Sequence, residues 1–168
     1  AFGEAKGVPW GVSESAYGHV DAHGTYQYRS FGVPGLGLKR GLEEDLVVAP
    51  YACVLALAPS RVRAVMDNLA ELEGMGAMGL YGLYESVDFQ RVAEGRKHTI
   101  VRAHMAHHQG MILAALDNFV NDGAHVRRFH ADPLVRSGEL LLDERIPRLP
   151  ALESATVAVE PQASAPTT

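Results

Sequence analysis

Nine glycines fall within the first 41 residues: Gly3, Gly7, Gly11, Gly18, Gly24, Gly32, Gly35, Gly37 and Gly41. A glycine inside a helix costs about 1 kcal/mol relative to alanine. This stretch therefore reads as loop rather than continuous helix. Phe31 to Leu38, with Pro34 among three glycines, is a loop with repeated breakers. Only a short helix around Ser13 to His19, capped by Ser13, is left open.

Beyond residue 42 the pattern becomes helical. Glu43, Glu44 and Asp45 suit a helix start, and Pro50 opens a helix with Tyr51, Val54, Leu55 and Ala58 on one face. Ser60 is the expected cap of a second helix, whose Val62, Val65, Met66, Leu69 and Leu72 recur at helical spacing. Residues 87–99 read as polar loop. A third helix is predicted from about Val101 to Val120, stopped by Asn121-Asp122-Gly123. A fourth is predicted from about Ser137 to Arg145.

No segment alternates as a strand does. The expected fold is all-α over residues 1–150: helix pairs joined by long glycine- and aromatic-rich loops, followed by a disordered tail at 151–168. Loops that long are usually functional. So few helices can hardly enclose them, and the chain starts without Met, so it reads as part of a larger helical array.

Charge and cysteine content remove several functions. The net charge is −5 and the basic residues are scattered, against the concentrated basic face that nucleic acid requires. The single cysteine, Cys53, allows no internal disulfide and reads as a small buried hydrophobe. No apolar run reaches the ~20 residues of a membrane span. The nucleotide-cradling glycine loop and the nucleophile-elbow serine are both missing. No cofactor is expected.

What remains is a repeated word. Trp10-Gly11-Val12-Ser13-Glu14-Ser15 and Tyr81-Gly82-Leu83-Tyr84-Glu85-Ser86 each set one carboxylate beside aromatic rings in a glycine-loosened backbone. Two carboxylates facing one cleft can serve as acid and as base or nucleophile in glycosidic chemistry; each can equally brace its own loop. Trp10, Tyr17, Tyr26, Tyr28, Phe31, Tyr81 and Tyr84 can stack on sugar faces or pack irregular backbone. Asp21 and Asp88 follow the two words as secondary acids, and Lys39 and Arg40 can bind hydroxyls or pair with Glu43 and Glu44. His104 and His108 lie one turn apart on the third predicted helix, with His107 and Gln109 beside them. They fit a metal site, the polar wall of a cleft, or a hydrogen-bonded core. The carboxylate of the metalloprotease pattern is absent between them, and no metal ligand is assigned.

Longer strings carry a resemblance. Trp10 to Tyr17, Tyr26-Gln27-Tyr28, Phe31 to Leu42, Asp45 to Tyr51, Tyr81 to Glu85, Arg102 to Met111, Phe129 to Pro133 and Glu139 to Arg145 resemble the glucoamylase-like domain of cyclic β-1,2-glucan synthases. The resemblance covers residues 7–148. It implies the C-terminal portion of an (α/α)₆ toroid whose cleft is built from inter-helix loops. It further implies a place at the cytoplasmic face of the inner membrane within a larger membrane protein, the chain itself being soluble. The implied partners are β-1,2-glucan and the remainder of the parent polypeptide. The implied reaction is glycoside cleavage with transglycosylation or hydrolysis, Glu85 as acid/base and Glu14 as nucleophile. Trp10, Tyr17, Asp21, Tyr26, Lys39, Arg40, Tyr84, His107, His108 and Gln109 would bind substrate. Gly18 and Val20 stand where the family commonly has Asn and Arg. The alternative is a non-catalytic segment that binds or scaffolds glucan.

Overall fold

The computed structural model describes residues 2–32 and 45–142. Lys39, Arg40, most of the glycine-rich Phe31 to Leu42 string and the 151–168 tail lie outside the described residues. The chain divides into two compact units, one up to His130 and one from Ala131.

The fold is not the all-α toroid segment expected. Seven strands form three antiparallel sheets among the described residues, interleaved with six helices. Strands β1 (Ser15–Val20) and β2 (Tyr26–Arg29) make a hairpin, pairing Ser15 with Arg29 and Ala16 with Tyr28. It replaces the helix left open at Ser13 to His19. Its turn explains why. The Asp21 carboxylate accepts the N–H groups of His23 (2.9 Å) and Thr25 (3.0 Å), and Gly24 takes the left-handed φ of 77° that closes it.

The central sheet has the order β3-β6-β7, from Val47–Val48, Ser86–Asp88 and Thr99–Val101. β1 packs against β6 and β7. Strands β4 (Met78–Gly79) and β5 (Gly82–Leu83) form a second hairpin. Residues 87–99 are thus not simply loop. Asp88 is fully buried, and its carboxylate accepts N–H groups of Gly18, Gln90 and Arg91 together with the Arg91 guanidinium. Four donors offset the cost of burying one carboxylate.

The helices follow the sequence pattern more closely. α1 (Phe2–Lys6) precedes the first word. Pro50 opens α2 (Pro50–Val54), which ends earlier than its apolar spacing suggested. α3 (Val62–Gly74) buries Val65, Asn68 and Leu72; its N-cap position is Arg61 and carries no side-chain cap, so Ser60 is not the cap. α4 (Ala106–Val120) stops at Asn121 as expected but starts five residues late, because Val101 is taken by β7. α5 (Ala124–Ala131) was not foreseen. In the second unit α6 (Pro133–Leu142) starts at Pro133, with the Asp132 carboxylate accepting the Leu134 N–H at 2.8 Å.

The core joins Val48, Leu72, Ala77 and Val87, with Val12, Leu69 and Ile100 against it. Asn68 ties this core to the first word. Its amide accepts the Trp10 N–H at 2.9 Å and donates to the Trp10 carbonyl at 3.0 Å. It also donates to Cys53 Sγ, whose thiol burial pushes above its ordinary value. Asn68→Ala would leave the Trp10 backbone without its partners, and is expected to lower the unfolding free energy by about 2–3 kcal/mol. Denaturant titration of the full chain measures this; a shift below about 0.5 kcal/mol would show that the clamp does not hold the loop.

Candidate active site

The two repeated words meet, but not symmetrically. Both side chains of the second Glu-Ser pair reach the backbone of one residue just past the first word. Glu85 Oε1 accepts the Ala16 N–H at 3.1 Å, and Ser86 Oγ donates to the Ala16 carbonyl at 2.5 Å. Glu85 is therefore sealed in, with 2% of its surface exposed. Glu14 lies two positions before Ala16 and faces solvent.

A buried imidazole stands between them. His108, on the first turns of α4, is 1% exposed. Its ring stacks on Tyr51 of α2 with centroids 3.7 Å apart and planes 11° from parallel. His108 Nδ1 lies 2.9 Å from Glu85 Oε2. With Glu85 ionised, Nδ1 carries the proton and Nε2 keeps its lone pair. The Tyr28 hydroxyl lies 3.2 Å from that Nε2 and 3.3 Å from Nε2 of His107. Glu14 completes the group: its carboxylate and one ring nitrogen of each histidine all lie within 4.8 Å of one another.

The phenols are tuned by this setting. Burial, followed by the charge of Glu14, pushes the Tyr28 hydroxyl up to about 12. Tyr28 thus stays a neutral donor at ordinary pH. Burial likewise raises the Tyr51 hydroxyl, against the opposing hydrogen bond from Ser13. Tyr51 Oη is 2.8 Å from Ser13 Oγ and donates to the Glu14 carbonyl at 3.3 Å, pinning the backbone that presents Glu14. The assembly is one exposed carboxylate, one buried carboxylate and two imidazoles, framed by tyrosines. It can move protons and bind hydroxyls.

Comparison with known proteins places this chain. The model of the Glycoamylase family ("Putative glucoamylase") matches residues 1–133. The chain belongs to the Glycoamylase family. It is also 49% identical over 148 residues to the cyclic beta-(1,2)-glucan synthase NdvB of Rhizobium meliloti (strain 1021). That match takes in 87% of the chain but only 5% of the relative's length.

Other candidates in this glycoamylase segment lie outside the cluster. The Asp21 carboxylate is taken up by the β1–β2 turn. Tyr26 pairs with Val20 across the hairpin. Tyr17 lies under the Arg91 guanidinium, 4.4 Å from its ring centre, and edge-on to Phe31. Trp10 lines a shallow cavity of about 310 Å³ with Ala64, Asp67 and Glu71 of α3. The Gln109 amide donates to the Leu83 carbonyl at 3.3 Å. Tyr84 lies over Gly79 and 5.3 Å from the ring of His104. His104 precedes α4, so it does not share a helical turn with His108 as the spacing suggested. Tyr51, Ser13 and Asn68 were missed as site-forming residues. The Pro50-Tyr51 helix start was one signal for Tyr51, beside the Asp45 to Tyr51 string, since an aromatic on a first turn points back toward the preceding loop.

Proposed function

We propose that this chain acts on a β-1,2-linked glucan, cleaving a glycosidic bond with Glu14 and Glu85. The glycosyl unit would pass to a hydroxyl of the same glucan, closing a ring, or to water. One observation supports the reading: the carboxylates of both words lie near the same imidazole, Glu85 bonded to it from inside at 2.9 Å and Glu14 within 4.8 Å of it on the exposed side. The name of the relative, a cyclic beta-(1,2)-glucan synthase, supplies the linkage.

Such chemistry needs one carboxyl to protonate the leaving oxygen and one carboxylate to meet the developing positive charge. Environments that differ let two carboxyls divide those roles. Glu85 accepts a backbone N–H, a contact suited to the ionised form; sealed from substrate, it takes a charge-stabilising role exerted through the His108 ring. Glu14 meets solvent beside a neutral phenol and takes the proton-exchanging role. This division reverses the one the resemblance implied.

The remainder of a longer polypeptide is the proposed partner, at the cytoplasmic face of the inner membrane. Leu113 and Val120 of α4 are 68% and 72% exposed, an apolar surface that a neighbouring domain would cover. Among the described residues no helix is long and apolar enough to cross a membrane.

Incubation of the full chain with linear β-1,2-glucan, followed by mass analysis, tests the reading. Rings lack one water relative to linear glucan of equal length; hydrolysis yields shorter linear chains. Either product supports it. Glucan that binds yet emerges uncut would instead mark a binding segment.

A further inference from the structure

We infer that Glu14, His107 and His108 form a site for a borderline divalent cation of the zinc class, and that filling it withdraws Glu14 from the glucan. The inhibitory half rests on the proposed glucan chemistry; the binding half does not.

The donor set is two imidazoles and one carboxylate, a combination that zinc accepts with a fourth position left open. Their ligand atoms lie within 4.8 Å of one another. A tetrahedral zinc with bonds of about 2.0–2.1 Å holds its ligand atoms roughly 3.4 Å apart, so no pair needs to close by more than about 1.4 Å. Glu14 and His107 are exposed and free to make that movement, whereas His108 is held in place. The Tyr28 hydroxyl lies within hydrogen-bond reach of both Nε2 atoms, so a cation bound to them would displace it.

The surroundings of His108 strengthen the case. A metal-binding imidazole usually donates its other N–H to a carboxylate, which fixes the ring and raises its basicity. Glu85 makes that contact with His108 Nδ1 at 2.9 Å, and Tyr51 fixes the ring plane. The lone pair of Nε2 then faces the Tyr28 hydroxyl, whose hydrogen bond a bound cation would replace. Oxygen-seeking magnesium does not favour such a nitrogen-rich set, so the site distinguishes zinc from magnesium.

A cation bound there would share the Glu14 carboxylate and block its exchange of protons. Titration calorimetry of the full chain with Zn²⁺ alone is the test. One zinc per chain is expected. His107→Ala, at an exposed position that leaves the core intact, should raise Kd at least tenfold. Glu85→Gln should weaken binding by about 10- to 100-fold, because the reversed contact moves the imidazole proton onto Nε2. Absence of binding, binding unchanged by His107→Ala, or Mg²⁺ binding as tightly as Zn²⁺ would each overturn the site. Saturating zinc should also stop glucan cleavage, and cleavage that persists at saturation would overturn the inhibitory half. Glucan left uncut before zinc is added would count against the glucan reading alone, while the isotherm still decides the cation site.

Discussion

Glu14→Gln is expected to slow glucan cleavage by about two to four orders of magnitude, the usual worth of a positioned acid or base. The same change should leave stability within about 0.5 kcal/mol, because Glu14 faces solvent and its backbone carbonyl, not its side chain, receives the Tyr51 hydroxyl. Glutamine keeps the shape but cannot exchange a proton. The expected pattern is therefore lost turnover with retained glucan binding. An unchanged product profile and rate would remove Glu14 from the chemistry.

Glu85→Ala is expected to act first on folding. It removes the acceptor of the Ala16 N–H and the partner of a histidine that is 1% exposed. Each buried donor left without its acceptor costs about 1–3 kcal/mol, so stranding both the Ala16 N–H and the His108 Nδ1–H is expected to cost about 2–6 kcal/mol. Chemical unfolding of the full chain measures the loss, and a cost below about 1 kcal/mol would mean that the pair is not formed in solution.

Glu85→Gln should be milder and more informative. Its amide oxygen stays on the Ala16 N–H and its NH₂ group then faces His108 Nδ1, which must become the acceptor. The imidazole proton moves to Nε2, where it meets Tyr28. Nitrogen chemical shifts of the His108 ring report that change of tautomer, and an unmoved ring spectrum would count against the assigned proton positions.

The parts legible in the sequence are those with local causes. α3 follows from apolar residues at helical spacing, and the end of α4 follows from Asn121-Asp122-Gly123, where Asp122 and Gly123 both adopt positive φ. The sheets were hidden because β3, β4 and β5 have two residues each, too few to show alternation. Their stability comes from partners distant in sequence: Val48 pairs with Val87, and Val87 with Ile100. Val47-Val48 and Thr99-Ile100-Val101 are β-branched runs, a cue that the surrounding helical signals outweighed. At the site, the repeated words pointed to both carboxylates. They did not reveal that one would be sealed and the other open, because that depends on Ser86 and Glu85 both gripping Ala16.

That grip also bears on the order in which the molecule forms. The contacts from Glu85 and Ser86 to Ala16 close chain loops of 69 and 70 residues. The backbone hydrogen bonds within α3 and α4 are local and can form early, whereas loops that long carry an entropic cost before any contact repays it. The carboxylates therefore come into register only after the intervening helices and the central sheet have docked. A peptide cut around either word, however well it reproduces the local sequence, would carry one half of a site that exists only as a product of the completed fold.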